Sequence, residues 1–296
     1  MSRDLRIVSA AMLIWGFGEG MFFIFQPLYI QQLGASPILI GTILGINGLV
    51  MAFFQIPAGY LADKIGRRPM IRLSFIAGVV ATFVMALAPS LVLFVVGLLL
   101  YGMTSSVMAP LNTYIQGARG KWTVGRALSF VSAAYNFGGV LGPLAGGFIG
   151  QSLSLKSVYL FSGFVFAISA FVVLFAGKQP FSEISLIESD GHLLHNKRYL
   201  GMLAVILVVM IATILPQSLS ANFLQNQRAL SISKIGQVGS YGAVGSVIIM
   251  LVFGHLNPGI AMLIGQVGVL LFSLLLWQGN ALVWFGVGYL FLGGFR

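Results

Sequence analysis

The sequence contains no cysteine, which excludes disulfides, thiolate nucleophiles and cysteine metal ligands together. Charge is nearly as scarce: 7% of the 296 residues are Asp, Glu, Lys or Arg, and only 6 of them are acidic. Histidine occurs 3 times. His192 and His195 have a spacing that could hold a metal on a helix, but no third ligand of suitable type accompanies them, so a solvated loop is expected and a metal is not. Acid–base or nucleophilic catalysis needs paired acids, a histidine cluster, or serine with histidine or lysine. The apolar stretches offer none of these, so the sequence reads as a non-enzyme without a cofactor. Strict alternation of polar and apolar residues is also missing, which excludes a membrane β-barrel.

What the sequence has is apolar length. Hydrophobic residues make up 58% of it. Apolar runs of about 20 residues recur along the whole chain, long enough to cross about 30 Å of hydrocarbon as helix. Backbone groups in lipid must be satisfied within their own segment. The prediction is an all-α, polytopic transmembrane helical bundle. The net charge of +10 would suggest nucleic acid in a soluble protein. Here the basic residues lie at the ends of apolar runs and no aromatic-interleaved basic groove exists, so the partner is the lipid bilayer and nucleic acid is not expected.

In order, the predicted spans are Ile7–Ile30, Pro37–Leu61, Met70–Ala88, Leu91–Gln116, Arg126–Gly150, Val158–Ala176, Leu200–Leu219, Ile235–Phe253 and Ile260–Trp277. A last apolar run starts at Ala281. The first span is too long for a signal-peptide core and reads as an uncleaved helix. Lys178–Lys197 is the longest polar interval and holds Glu183, Glu188 and Asp190. It divides the chain into an N-terminal six-helix half (1–177), a linker (178–197) and a partial C-terminal half (198–296).

Arg3, Arg6, Lys64, Arg67, Arg68, Arg72, Arg119, Lys121, Arg126, Lys178, Lys197 and Arg198 fall on one side of this topology. Only Lys156, Arg228 and Lys234 fall on the other. The N-terminus and the linker are therefore predicted to be cytoplasmic, in a plasma (inner) membrane.

Gly16-Phe-Gly18-Glu19-Gly20 has the spacing of a nucleotide fingerprint without the strand that such a turn must follow. Close helix packing is the expected use of these glycines, and of Gly41, Gly45 and Gly48. Glu19 is the only acid predicted well inside a span. A charge there costs on the order of 2–4 kcal/mol, so Glu19 is a candidate proton-coupling residue. Gln26, Asn47, Gln55, Asn112, Tyr114, Tyr135, Asn136 and Asn222 are the polar residues that could line a substrate cavity or bond one helix to another.

Two motifs carry a resemblance. Gly59-Tyr-Leu-Ala-Asp63-Lys64-Ile-Gly66-Arg67-Arg68 sets four charges within six residues between two apolar runs. It resembles the signature loop between the second and third helices of the major facilitator superfamily of secondary transporters. Gly138-x-x-x-Gly142-Pro143-x-x-Gly146-Gly147 resembles the fifth-helix signature of that family's drug–proton antiporter branch.

The resemblance implies alternating-access transport of a small-molecule substrate, with proton-coupled efflux of drugs or small solutes as the finer expectation. It implies two related six-helix halves, and a monomer is favoured. Gly59, Asp63, Lys64, Gly66, Arg67 and Arg68 would form a cytoplasmic gate, with Asp63 locking the halves near the start of an eleventh helix. One departure is Leu98, at a fourth-helix position where many proton-driven relatives carry arginine.

A shift of 195 lays Ile40-Gly41 on Ile235-Gly236 and Gly59 on Gly254; a shift of 191 lays Leu100-Tyr101-Gly102 on Phe291-Leu292-Gly293. In the repeat the signature loop decays to Gly254-His255-Leu256-Asn257-Pro258. This register puts Arg296 in the middle of a tenth helix, so the expectation is a chain truncated after about nine and a half helices. The alternative reading is a non-transporting fragment or a helper of another membrane protein.

Overall fold

The structure is a computed structural model and describes residues 1–177, 196–253 and 258–293. The histidine pair, the three linker acids, most of the decayed loop and Arg296 lie outside the described residues. Within them the chain is helical throughout, with no strand. The helices are α1 (Arg3–Phe23), α2 (Gln26–Gln32), α3 (Pro37–Ile65), α4 (Arg67–Leu87), α5 (Leu91–Thr104), α6 (Met108–Ala118), α7 (Val124–Ser152) and α8 (Leu155–Val173). After the linker come α9 (Lys197–Ser218), α10 (Ser220–Asn226), α11 (Ile232–Phe253), α12 (Pro258–Gln278) and α13 (Leu282–Leu292). Among the described residues 8 helical segments are long and apolar enough to cross a membrane.

Side-chain oxygens set the helix starts. Ser2, Ser36, Ser90, Thr123 and Ser154 each accept a hydrogen bond from an N–H of the first turn of α1, α3, α5, α7 and α8, and Asn196 accepts two at α9. These groups satisfy N–H donors that the helix itself leaves unpaired.

Two predicted spans are corrected by breaks. The first is interrupted at Ile24–Phe25, because Pro27 lacks an N–H and its ring opposes the carbonyl four residues back. The fourth tightens to a 3-10 turn over Ser105–Val107. There the hydroxyls of Thr104, Ser105 and Ser106 donate to the carbonyls of Tyr101, Gly102 and Met103 at 2.6, 2.8 and 2.6 Å. Pro110 removes a further donor just beyond.

The signature stretch is not the polar loop expected of it. α3 continues as helix through Asp63 and Lys64 to Ile65, and the chain turns on Gly66 alone, at φ 95°. That conformation favours glycine, which has no Cβ to clash. Arg67 and Arg68 already belong to α4.

Glycine packing divides along the sequence. Side chains built at Gly16, Gly138, Gly142 and Gly146 would run into the backbone of the facing helix, so α1 and α7 cross at backbone contact. Gly41, Gly45, Gly48 and Gly59 on α3 face open space within 4 Å, which corrects the packing role expected of the α3 glycines. α1 packs against α7 and α8, α4 against α5 and α8, and α11 against α7 and α13.

The core of the first set is an aromatic column. Trp15 stacks on Phe166 with centroids 4.1 Å apart, and Phe22, Phe94 and Tyr29 surround Tyr159 at 5.1 to 5.3 Å. Helix starts recur after the linker. Pro37 and Ile232 open α3 and α11 at an offset of 195; Arg67 and Pro258 open α4 and α12, and Leu91 and Leu282 open α5 and α13, both at an offset of 191. We call the end of the bundle that carries Arg3, Gly66 and Gly177 the near end, and the opposite end the far end.

Candidate functional site

α1, α3, α5 and α7 converge on a cavity of about 330 Å³. Its apolar wall includes Met12, Trp15, Phe23, Phe75 and Met108, and its polar lining includes Glu19, Gln26, Asn47, Gln55, Ser74 and Tyr135. Trp15 and Glu19 are four apart on α1 and therefore share a helix face. Tyr135 of α7 donates its hydroxyl to Glu19 Oε2 at 2.9 Å. Tyr101 of α5, buried in the bundle, stands beside Glu19, Tyr135 and Trp15. Glu19 is thus a carboxyl group on the cavity wall held by a phenol, among aromatic rings.

Gly16 makes this arrangement possible, because any Cβ there would strike the Tyr135 carbonyl. Gly102 admits the Asn47 amide in the same way. The amide oxygen of Asn47 is buried against Gly102 without a hydrogen-bond partner, while its Nδ2 faces Met51 Sδ at 3.8 Å.

Not every residue expected at the cavity is there. Glu19, Gln26, Asn47, Gln55 and Tyr135 line it. Asn112 is exposed and Asn136 half-buried, both away from it. Tyr114 lies at the near end and donates to the Gly177 carbonyl at 2.9 Å. The Gly177 N–H donates in turn to Asp4 Oδ1 at 3.2 Å, and Arg72 donates to the Leu174 carbonyl. Ser2 donates to the Ala118 carbonyl, so side chains from α4 and α6 and from the start of α1 tie the ends of α6 and α8 together. Asn222 lies at the far end, bonded to α2. Trp15, Phe75 and Tyr101 were missed by sequence reasoning, which weighed polar residues only. The four-residue step from Trp15 to Glu19 was the available signal.

Of the first motif, Asp63 and Lys64 are exposed at the near end of α3, with Lys64 Nζ 4.6 Å from the Tyr60 ring centroid. Arg67 and Arg68 are half-buried at the start of α4. The second motif lies in the densest part of the bundle: Gly138, Gly142 and Gly146 face α1, and Gly147 and Pro143 face Gly236 of α11. Between the two sets of helices, α7 packs on α11 and α2 on α10, both toward the far end.

The helices thus form a multi-pass membrane bundle around a mainly apolar cavity that carries a few polar side chains. The model of the Major Facilitator Superfamily matches residues 8–295, and the chain belongs to that family. It is 26% identical over 222 residues to the multidrug resistance protein MdtG of Citrobacter koseri, covering 71% of this chain and 55% of that protein. To MdtG of Escherichia coli it is 27% identical over 222 residues, covering 71% and 54%. The chain thus spans about half the length of the curated relatives it matches. Among solved structures, the nucleoside transporter NupG superposes with a TM-score of 0.79 at 15% identity, covering 99% of this chain and 79% of that one. A bacterial homologue of the human lysosomal transporter Spinster, in an inward-facing and occupied conformation, superposes at 0.72 and 17% identity, covering 98% and 72%. These two likenesses establish the fold alone.

Proposed function

We propose that the chain forms the body of a secondary active transporter that moves a small amphipathic molecule by alternating access, with Glu19 as its proton-binding group. The observation that carries this reading is the Glu19–Tyr135 pair on the wall of a cavity lined by Trp15 and Phe75. A carboxyl group at membrane depth is costly unless it is partnered or used. Facing a cavity, it can exchange a proton with water or meet a positively polarised ligand, while the rings supply apolar contact. The likeness to multidrug resistance proteins supports efflux of drug-like solutes and an antiport mode.

Two halves, 1–177 and 198–296, joined by the linker 178–197, fit the recurring helix starts and the parallel repeats on which such transporters are built. The asymmetry of Lys and Arg supports a cytoplasmic near end in the inner membrane. The exposed Asp63, Lys64 and the neighbouring arginines then form the cytoplasmic gate.

The test is transport by the reconstituted chain, with ethidium as probe and an imposed pH gradient. Glu19→Gln is expected to lower gradient-driven ethidium movement at least tenfold while leaving helical content unchanged. Unaltered proton dependence in Glu19→Gln would remove Glu19 from the mechanism.

A further inference from the structure

At the far end the two sets of helices meet through short helices that follow a break in a span. α2 follows the break at Ile24–Phe25, and α10 follows the break at Leu219, three residues beyond Pro216. Asn222 Nδ2 of α10 donates to the Pro27 carbonyl at 3.2 Å and to Gln31 Oε1. Asn226 Nδ2 donates to the same Gln31 oxygen at 3.2 Å. One glutamine oxygen of α2 therefore receives amide protons from two successive turns of α10.

Pro27 and Asn222 are 195 apart in sequence, as are Gln31 and Asn226. The same offset of 195 separates the starts of α3 and α11. α2 (Gln26–Gln32) and α10 (Ser220–Asn226), however, start and end at an offset of 194, so each of these two bonds joins a position to the immediate neighbour of its repeat equivalent, which places the contact close to the axis that relates the repeats. A contact close to that axis bridges the two sets of helices, so when one set rocks open against the other at this end its bonds must part. It is also uncharged, built from amides and a prolyl carbonyl; Asn222 is 7% exposed, so water competes weakly for its bonds, while Asn226 is exposed and its bond is open to water. Next to it, Gln151 Oε1 accepts from the Ile232 N–H at 3.1 Å and Gly147 faces Gly236, which brings α7 and α11 together at the same end.

We propose that Gln31, Asn222 and Asn226 form an amide latch that holds the far end of the cavity shut, and that opening toward that side requires its rupture. The inference rests on the alternating-access reading but is tested without transport. Because the sequence has no cysteine, Ser105→Cys in the cavity supplies a single thiol. Its labelling by a membrane-impermeant maleimide is followed in vesicles that expose the near or the far side.

Each lost bond is expected to raise the open population about fivefold. Asn226→Ala should therefore speed far-side labelling about fivefold, and Gln31→Leu, which removes the acceptor of two bonds, about 25-fold. Gln31→Glu keeps an acceptor for both asparagines and should label no faster than the parent. Near-side labelling and thermal stability measured on the same proteins separate latch opening from unfolding. An unchanged far-side rate in folded Gln31→Leu, or equal acceleration by Gln31→Glu, overturns the latch. If the rates move as expected but ethidium is not transported, the latch stands and the transport reading fails. If ethidium moves and the far-side rate does not respond, the reverse holds.

Discussion

Replacing Gly142 by alanine tests whether α1 and α7 lean on each other at backbone distance. A Cβ at Gly142 would lie 2.5 Å from the Phe17 carbonyl oxygen and 2.7 Å from both Cα and the carbonyl carbon of Gly20. Carbon and carbonyl oxygen rest at about 3.3–3.6 Å, so α7 must withdraw by roughly 0.8–1 Å. The atoms in the way are backbone and cannot rotate aside. Overpacking of this kind costs about 1–3 kcal/mol.

The withdrawal would also stretch the 2.9 Å bond from Tyr135 to Glu19 beyond hydrogen-bonding range, a loss of about 1 kcal/mol. Against this, alanine is a better helix former than glycine by about 0.5–1 kcal/mol. The net expectation is a destabilisation of about 1–3 kcal/mol, which lowers Tm by roughly 2–10 °C. Gly48→Ala is the matched control: with nothing within 4 Å of its Cβ, only the propensity gain remains, and Tm should hold or rise by a few degrees. Unfolding of the detergent-solubilised chain, followed by tryptophan fluorescence, compares the two. Equal stability of Gly142→Ala and Gly48→Ala would refute the close crossing of α1 and α7.

Other outcomes follow from the same geometry. Tyr135→Phe removes the hydroxyl that holds Glu19 while keeping the ring, and should shift the pH at which ethidium transport is half-maximal while lowering Tm by no more than about 2–4 °C. Trp15→Ala empties the middle of the aromatic column, where Trp15 meets Phe166, Phe75 and Tyr101, and should cost about 3–5 kcal/mol by chemical denaturation. Tyr114→Phe leaves the Gly177 carbonyl without its side-chain donor and should cost about 1–2 kcal/mol by the same measurement.

Apolar length made the spans legible, because without the alternation of a closed barrel lipid leaves a crossing segment only the helix. The break after Ile24 went unread, although Pro27 stands inside the first apolar run. The extent of the signature loop was not legible either. Charge between two apolar runs looks like a turn, yet Asp63 and Lys64 stay helical because no proline or glycine stands between Gly59 and Gly66 to oppose the helix. Glycines on α3 and α7 carry the same spacing, and only the neighbour across each helix separates the packed Gly142 from the uncovered Gly48. Polar residues in apolar runs look alike at any depth. Tyr114 and Asn222 resembled Tyr135 in that respect, although Tyr114 stands within four residues of a helix end and Tyr135 in mid-helix. Trp15 and Tyr101 remained unread because an aromatic ring in a core and one on a cavity wall share the same sequence pattern.

α3 has 29 residues, which as helix is about 43 Å, well beyond the roughly 30 Å of hydrocarbon. Its signature acid therefore sits at the tip of an overhanging arm. Pivoted at its middle, such a rod turns a 15° swing into about 6 Å of travel at its tip, more than a helix turn's rise. Few interactions span that distance. In the proposed transport cycle the charged tip of α3 would act as a lever, converting a modest reorientation at the cavity into the making or complete loss of contact at the surface.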